Sequence, residues 1–384
     1  MTTPAHYDYI ILGTGLSGLM LAYRLSQDTY FKDKKILLLD KAQKNKNDRT
    51  WCFWKEGKSE WEPVISKKWN TITVKGEGYE DNINLDNYRY NKIEAIDFYS
   101  YCLNELEKFS NITIREEKVI DFRESGDAVN VTTEMADYTA QKVFTSILPA
   151  ERLEEQKHSQ VLQQHFIGWD IEAENPVFDP NLATFMDFTV AQKGNTRFMY
   201  VLPVSKTRAL VEYTLFSEKL LSDSEYETAI KEFIAKLGIT NYTIKATEKG
   251  SIPMTSYPFE RHNTKNIMHI GTAGGFTRGS TGFTFNHTDK ITLRLVDFLK
   301  KDKDFRLFKM KNRFRWYDRL FLDVLYRKNE MGAQIFTTMF KKNKIQNIFR
   351  FLDGESTPAE EVKLISTLPK KQFLIALFKE GSKG

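Results

Sequence analysis

The stretch that decides the fold is Tyr7–Asp40, YDYIILGTGLSGLMLAYRLSQDTYFKDKKILLLD. Its opening run, through Leu12, is short, apolar and β-branched, which is typical of a buried parallel strand. Residues 16–25 carry apolar side chains at helical spacing, and residues 35–40 form a second apolar run that ends in an acid. The stretch therefore predicts a complete β-α-β unit.

The turn between the first strand and the helix is Gly13–Gly18, which matches the pattern GxGxxG. The first glycine permits the tight turn, the second lets the backbone approach a pyrophosphate, and the third lets helix and strand pack closely. The strand–helix–strand context argues against an ordinary glycine turn. The motif alone does not separate NAD from FAD, but its N-terminal position and the long, interleaved remainder favour FAD. Candidate cofactor-binding residues in this unit are Gly13, Gly15, Leu16, Ser17, Gly18 and Asp40.

The rest of the chain alternates between strand and helix patterns. We predict strands over 70–85, short strands over 112–143, an antiparallel sheet over 165–215, helices over 95–109 and 222–237, and a strand over 266–270 that leads into a glycine-rich loop and then helix to the C-terminus.

Composition excludes several classes of protein. The chain has 384 residues, enough for two domains, and its net charge of +5 is mild. No recognition motif accompanies that charge, so we do not expect nucleic-acid binding. Cys52 and Cys102 lack metal-ligand spacing, which predicts reduced thiols and no metal site. The start lacks the regions of a signal peptide, and no apolar run reaches the roughly 18–20 residues of a spanning helix. We therefore expect a cytoplasmic protein, soluble or peripheral to the membrane.

Several further motifs occur together and in a fixed order. They are Asp48–Trp54 (DRTWCFW), His165–Trp169 (HFIGW), Phe185–Phe188 (FMDF), Tyr200–Pro203 (YVLP), Ala209–Phe216 (ALVEYTLF), Gly250–Met254 (GSIPM), Gly271–Gly275 (GTAGG) and Ser280–Phe283 (STGF). This combination resembles the lycopene cyclases of carotenoid-producing bacteria, and the resemblance runs from about residue 7 to residue 290.

The resemblance implies an α/β fold: a Rossmann-type FAD-binding domain of the two-domain hydroxylase/reductase kind, with an inserted antiparallel substrate sheet and a helical C-terminal portion. We expect the FAD-binding domain to comprise residues 1–65, 110–150 and 250–300, the substrate domain residues 66–109 and 151–249, and the C-terminal region residues 301–384.

The resemblance also implies a reaction. Lycopene and other acyclic carotenoids would be cyclised through γ-carotene to β-carotene, with reduced FAD used without net redox change and NAD(P)H as the flavin's reductant. Further cofactor-binding candidates carried over from the family are Arg49, Gly271, Gly274, Gly275, Thr281 and Gly282. The sequence leaves open β- against ε-ring formation, cyclisation of one or both ends, and the oligomeric state.

Glu212 is the candidate general acid–base. In the predicted strand over 208–216 it is the lone carboxylate among apolar neighbours, a setting that would raise its pKa and keep it protonated. The alternative is a structural pair with Arg208, which shares its face of the strand. Tyr213 stands where plant relatives have a second acid. Possible substrate-site residues are His165, Trp169, Asp187 and Tyr213. The alternatives are a structural hydrogen bond for His165 and a turn cap for Asp187.

Residues 305–350 are rich in Lys and Arg interspersed with aromatic side chains. A basic amphipathic helix of this kind would bind a membrane surface carrying anionic lipid, and a carotene substrate favours that interpretation over a helix packed on the core. Two other functions stay open. One is a flavin-dependent monooxygenase or reductase acting on an isoprenoid, and the other is a non-catalytic carotenoid carrier.

Overall fold

The computed structural model describes residues 4–149, 160–301, 303–310 and 313–381. Its strands are β1 (Ala5–Leu12), β2 (Ile36–Asp40), β3 (Thr50–Glu56), β4 (Ile65–Trp69), β5 (Thr71–Gly76), β6 (Tyr79–Asn84), β7 (Tyr88–Glu94), β8 (Ile112–Glu116), β9 (Val119–Ser125), β10 (Ala128–Thr133), β11 (Asp137–Thr145), β12 (Val161–Ala173), β13 (Leu182–Asp187), β14 (Thr196–Pro203), β15 (Arg208–Ser217), β16 (Tyr242–Thr255) and β17 (Ile267–His269). Its α-helices are α1 (Leu16–Gln27), α2 (Ala95–Leu106), α3 (Asp223–Lys236), α4 (Phe285–Leu299), α5 (Arg313–Arg327), α6 (Gly332–Lys342), α7 (Ile345–Leu352), α8 (Pro358–Ser366) and α9 (Lys370–Gly381).

The first sheet contains the β-α-β unit and has the strand order β8-β2-β1-β11-β10-β9, with β17 paired to β11. The pairs among β8, β2, β1, β11 and β17 are parallel, whereas β10 runs antiparallel to β11 and β9. The apolar run of β1 is fully buried because both faces of the sheet are covered. Helices α1, α2 and α4 pack together on one face through Leu19, Phe98 and Leu295.

The second sheet has the order β16-β12-β15-β14-β13-β5-β6. Its pairs are antiparallel except β13 with β5, which is parallel. One face packs against α3, and the other packs towards helices α5–α8. Because successive side chains of a strand point to opposite faces, the sheet separates two sets of residues along β12 and β15.

A third sheet, β3-β7-β4, stands beside the other two. Strand β3 contains the TWCFW part of the DRTWCFW motif, and its aromatic side chains contact helices on two sides. Phe53 stacks on Phe285 of α4 with ring centroids 4.5 Å apart, and Trp54 stacks on Phe349 of α7 at 4.4 Å. The motif therefore ties the first sheet's helices to the C-terminal helices by aromatic packing.

A buried ion pair fixes the glycine-rich loop after β17 to helix α5. Arg278 Nε lies 2.9 Å from Asp318 Oδ1, and both side chains are at least nine-tenths buried. Ser280 Oγ donates to the same carboxylate oxygen at 2.7 Å, and Arg278 Nη1 donates to the Leu352 carbonyl. A buried charge pair of this kind holds only with such supporting hydrogen bonds, so the loop has one well-defined position.

The predicted mixture of a Rossmann-type unit, an antiparallel sheet and C-terminal helices is confirmed. The C-terminal helix is broken into shorter helices, and strand β16 was not predicted. It contains Pro253, which its place at the sheet edge tolerates. The proposed domain boundaries stay a prediction. Among the described residues, no helix combines the length and apolar character that crossing a bilayer requires.

Candidate active site

A cavity of about 560 Å³ runs from the nucleotide loop to the second sheet. Gly15–Ser17 line one end, and β12, β15 and β16 line the other. The loop Gly271–Thr284 and helix α6 close its sides. Of the residues predicted for the site, the cavity is lined by Gly15, Leu16, Ser17, Arg49, Glu212, Gly271, Thr281 and Gly282.

The N-terminus of α1 faces this cavity without a partner from its own segment. Gly15 is the cap residue and offers no side-chain hydrogen bond, and the first turn contains no acid. Free N–H groups and the positive end of the helix dipole therefore face the cavity, which suits an anionic group such as a pyrophosphate. Gly18 lies in the first turn of α1, where a Cβ would stand 2.0 Å from the Gly13 carbonyl oxygen. Only glycine therefore allows the helix to pack this closely against the glycine-rich turn.

Asp40 and two cations stand beside the nucleotide loop. Thr14 donates to Asp40 Oδ2 through its backbone N–H at 2.7 Å and its hydroxyl at 2.9 Å, and Lys44 Nζ lies 3.1 Å from the same oxygen. Burial would raise the pKa of Asp40, but these hydrogen bonds and the lysine charge outweigh it and hold the pKa below its ordinary value. Lys44, which sequence reasoning missed, lines the cavity with Arg49 and adds positive charge.

Two buried oxygen atoms that line the cavity have no hydrogen-bond partner among the described residues. They are Gln164 Oε1 and Thr281 Oγ1. Gly282 has φ +72°, and a Cβ there would lie 2.3 Å from Gln164 Oε1. Such unpaired polar atoms are costly unless a ligand satisfies them, so this part of the cavity suits a polar ligand group.

Gly274 and Gly275, the other glycines of the second loop predicted to bind the cofactor, do not face the cavity. A Cβ on Gly274 would stand 2.0 Å from the His269 carbonyl oxygen, and Gly275 packs on Phe259. Neither residue lines the cavity; they shape the turn that presents Gly271 and Thr272 to it.

Glu212 projects from β15 into the cavity and is nine-tenths buried. Thr214 Oγ donates to its Oε1 at 2.5 Å. Burial, reinforced by the charge of Glu248, raises the pKa of Glu212 to about 8 against the weaker lowering effect of Thr214. The alternative partner, Arg208, is instead paired with Asp170 at 2.6 Å. Glu212 is therefore a protonated carboxylic acid near neutral pH.

Glu248 is a second carboxylate of the site that sequence reasoning missed. It stands on β16 opposite Gly168 of β12, and Gly168 stands opposite Glu212 of β15, so the two acids flank one glycine on the same face of the sheet. A Cβ on Gly168 would lie 3.3 Å from the Glu212 Cβ. The Thr50 N–H donates to Glu248 Oε1 at 2.9 Å, but burial dominates and raises the Glu248 pKa.

Aromatic side chains form the remaining wall around Glu212. Tyr200 lies directly opposite Glu212 across β14 and β15, and its hydroxyl is hydrogen-bonded to that of Tyr90. Burial raises the pKa of both phenols well above the ordinary value, so both are neutral. Burial also raises the pKa of the neighbouring Cys52 thiol to about 12. Further aromatic residues that line the cavity are Trp51, Tyr99, Phe166, Phe185, Phe198, Phe216, Phe283, Phe285, Phe336 and Phe340.

Comparison with known proteins decides the family. The sequence model of the family described as lycopene cyclase protein matches residues 8–378. The chain belongs to the lycopene cyclase family. It is 23% identical to the lycopene beta-cyclase of Pantoea ananas, over 97% of each chain.

Solved structures share the fold of this lycopene cyclase family member at low identity. A flavin-dependent brominase covers 99% of this chain and 100% of its own, with a TM-score of 0.60 and 13% identity. A mutant of the halogenase PltM, in complex with FAD, covers 90% of this chain and 78% of its own, with a TM-score of 0.59 and 11% identity. The fold is thus that of FAD-dependent flavoproteins.

Three predicted substrate-site residues lie on the face of the second sheet that points away from the cavity. His165, Trp169 and Tyr213 do not line the cavity but pack towards α3. His165 contacts Ser217 Oγ through Nε2 at 2.7 Å and the Tyr226 hydroxyl through Nδ1 at 2.5 Å. Burial lowers the His165 pKa to about 4. Arg197 donates to the Tyr213 hydroxyl at 3.1 Å.

His165 and Tyr213 are thus hydrogen-bonded inside the protein, and Trp169 packs in the apolar cluster between the sheet and α3. Alternation along β15 points Tyr213 away from the face that Glu212 occupies. Asp187, the fourth predicted substrate-site residue, ends β13 and accepts hydrogen bonds from the Thr189 N–H and hydroxyl at 2.9 and 2.6 Å. These are the contacts of a turn cap, and Asp187 does not line the cavity.

The basic segment over 305–350 packs largely inward. Its aromatic residues Phe314, Phe336 and Phe340 are at least 95% buried, and Arg313 and Arg315 are paired with Glu361 and Glu260. Lys311, which belongs to this segment, lies outside the described residues. Exposed apolar side chains in the segment are Leu307, Trp316 and Tyr326, and a further group lies on α9, where Leu374, Leu377 and Phe378 are 51%, 41% and 77% exposed.

The raised pKa of Glu212 predicts a pH-dependent effect of Glu212→Gln on stability. The wild-type folded state holds this proton up to about pH 8, whereas the unfolded chain releases it near pH 4.3. The stability of the wild-type protein therefore decreases as the pH rises from the lower to the higher of these two values. The variant has no carboxyl group at this position and does not show this decrease. We expect the thermal midpoint of Glu212→Gln to exceed that of wild type by more at pH 8 than at pH 5.

Thermal unfolding at the two pH values measures this difference. Glu227→Gln, at an exposed position of α3, is the control and should follow wild type at both. An equal difference at pH 5 and pH 8 would show that Glu212 ionises normally in the folded protein.

Proposed function

We propose that the protein is a lycopene β-cyclase that converts lycopene through γ-carotene to β-carotene by acid–base chemistry. The observation that carries this proposal is Glu212, a carboxylic acid held protonated in an aromatic cavity that is continuous with a nucleotide loop. Ring closure needs a proton donor, a surface that tolerates positive charge and the exclusion of water. Membership of the family and the 23% identical lycopene beta-cyclase support the substrate.

The residues present fit FAD. The uncapped N-terminus of α1 and the cations Lys44 and Arg49 would hold the pyrophosphate, and the unpaired oxygens of Gln164 and Thr281 would meet the polar edge of the ring. When bound in its reduced form, kept reduced by NAD(P)H, FAD would supply negative charge that stabilises a cation without net redox change.

Glu212 performs the proton transfers in this proposal. Because Thr214 donates to Oε1, the acidic proton sits on Oε2. Its transfer to C2 of the terminal alkene leaves a tertiary cation at C1, which the C5–C6 double bond attacks. The Glu212 carboxylate, now stabilised by Thr214, accepts the proton lost from C6 and returns to its starting state. Neutral Tyr90 and Tyr200 offer aromatic faces to the cation and no competing anion.

Glu248 tunes this acid. Its negative charge raises the Glu212 pKa, and the missing side chain at Gly168 leaves only backbone between the two carboxyl groups on that face of the sheet. The pair titrates as a coupled system, in which ionisation of either carboxyl disfavours ionisation of the other. Glu248 thereby extends the pH range over which Glu212 remains a proton donor.

We further propose that the protein is cytoplasmic and meets the inner face of the cell membrane, where the substrate dissolves. The support is the exposed apolar side chains of α9 together with Lys370 and Lys371 at its start. Apolar residues beside lysines favour binding at an anionic lipid surface.

Expression in lycopene-accumulating bacteria tests the function. We expect wild type to convert lycopene to β-carotene, and Glu212→Gln to lose activity by roughly 100-fold or more because the general acid is absent. Glu227→Gln should convert lycopene as wild type does. Unchanged lycopene with wild type, or full conversion with Glu212→Gln, would contradict the proposal. Stoichiometric consumption of NADPH would instead favour the monooxygenase or reductase hypothesis. Binding of lycopene without ring formation would favour the carrier hypothesis.

The second carboxylate makes a separate prediction. In Glu248→Gln the neighbouring charge is absent, so the Glu212 pKa should fall and the alkaline limb of the pH–rate profile should move to lower pH. Activity at acidic pH should persist, since the amide oxygen can still accept from the Thr50 N–H. Rates of lycopene conversion in vesicles, measured from pH 5 to pH 9, give the pH at which the alkaline limb falls. A profile that is unchanged, or moved to higher pH, would rule out the tuning role.

A further inference from the structure

A second cavity, of about 300 Å³, lies among the C-terminal helices. Side chains of α5, α6, α7, α8 and α9 line it, including Leu320, Ile335, Leu364 and Ile365. Among its described lining residues the charged ones are Asp318, already paired with Arg278, and Lys370. Most of its lining side chains are apolar or aromatic, so its interior suits a hydrocarbon.

This cavity and the active-site cavity share one wall. Thr281, Phe336, Met339 and Leu352 line both of them. A single layer of side chains thus separates the two spaces, and Met339 contributes a flexible side chain to that layer. Rotamer changes of these shared side chains would join the two spaces.

We propose that the second cavity binds the non-reacting half of an acyclic carotenoid while its end group lies beside Glu212. This inference rests on the proposed function. Only the end group of a forty-carbon polyene takes part in ring closure, and the first cavity, of about 560 Å³, must also accommodate a flavin ring. The rest of the chain needs an apolar continuation, and the space beyond Phe336 supplies one.

The outer end of the second cavity reaches the apolar surface of α9. Leu374 and Leu377 line the cavity and are 51% and 41% exposed, and Phe378 beside them is 77% exposed. Trp316 also lines the cavity and is 41% exposed. An apolar mouth of this kind is costly in water and is matched by acyl chains, so the polyene would pass from the bilayer into the protein here.

Filling the cavity tests the inference. Ile365→Trp places a large side chain inside it, whereas Val362→Trp places the same side chain on an exposed position of the same helix. Both proteins are assayed, with bound FAD measured, on lycopene and on a chain-shortened acyclic apocarotenoid that keeps one ψ-end. We expect Ile365→Trp to lose roughly ten-fold or more of its kcat/KM for lycopene. It should keep its activity on the short substrate, and Val362→Trp should keep both.

A second variant covers the case in which Ile365→Trp does not fold. Leu374→Trp narrows the half-exposed mouth and should show the same selective loss on lycopene. Equal activity of the filled variants and Val362→Trp on lycopene, or equal losses on both substrates with FAD content intact, would overturn the inference. If wild type cyclises neither substrate, the proposed function fails instead, so the two failures are distinguishable.

Discussion

Burial of the Glu212 carboxyl is the constraint on which the rest of the site depends. A carboxylic acid serves as a proton donor near neutral pH only when its ionised form is kept out of water. Strand β15 places Glu212 on the inner face of the second sheet, Gly168 leaves room beside it, and neutral aromatic side chains surround it. Glu248 adds a second carboxyl group that reinforces the effect of burial.

The same constraint explains the arrangement of the larger elements. The nucleotide loop supplies positive charge and free N–H groups at one end of the cavity, while the acid stands at the other end. The aromatic stacking of β3 and the Arg278–Asp318 ion pair hold the C-terminal helices against both. These helices line one side of the cavity that contains the acid, and they also enclose the apolar space beyond Phe336.

Local sequence predicts the nucleotide end of the site well and the sheet end only in part. The β-α-β unit is local, so its spacing alone predicts it, and Glu212 stands out as a lone acid in an apolar strand. Glu248 could not be found in this way because its relation to Glu212 depends on the register of three strands distant in the chain. Alternation could have shown that Glu212 and Tyr213 cannot both face one cavity. The second cavity depends on helix packing, which the sequence pattern does not specify.

The central claim is that the protein closes a ring by donating a proton, without adding hydrogen or oxygen to the substrate. The most direct measurement is the mass of the product formed in heavy water, with flavin reduced and the protein pre-equilibrated and in excess over lycopene. The account predicts that each ring formed carries one deuterium from the protein's acid and no other change in mass. A ring without deuterium, or a product that has gained two hydrogens or an oxygen, would contradict it.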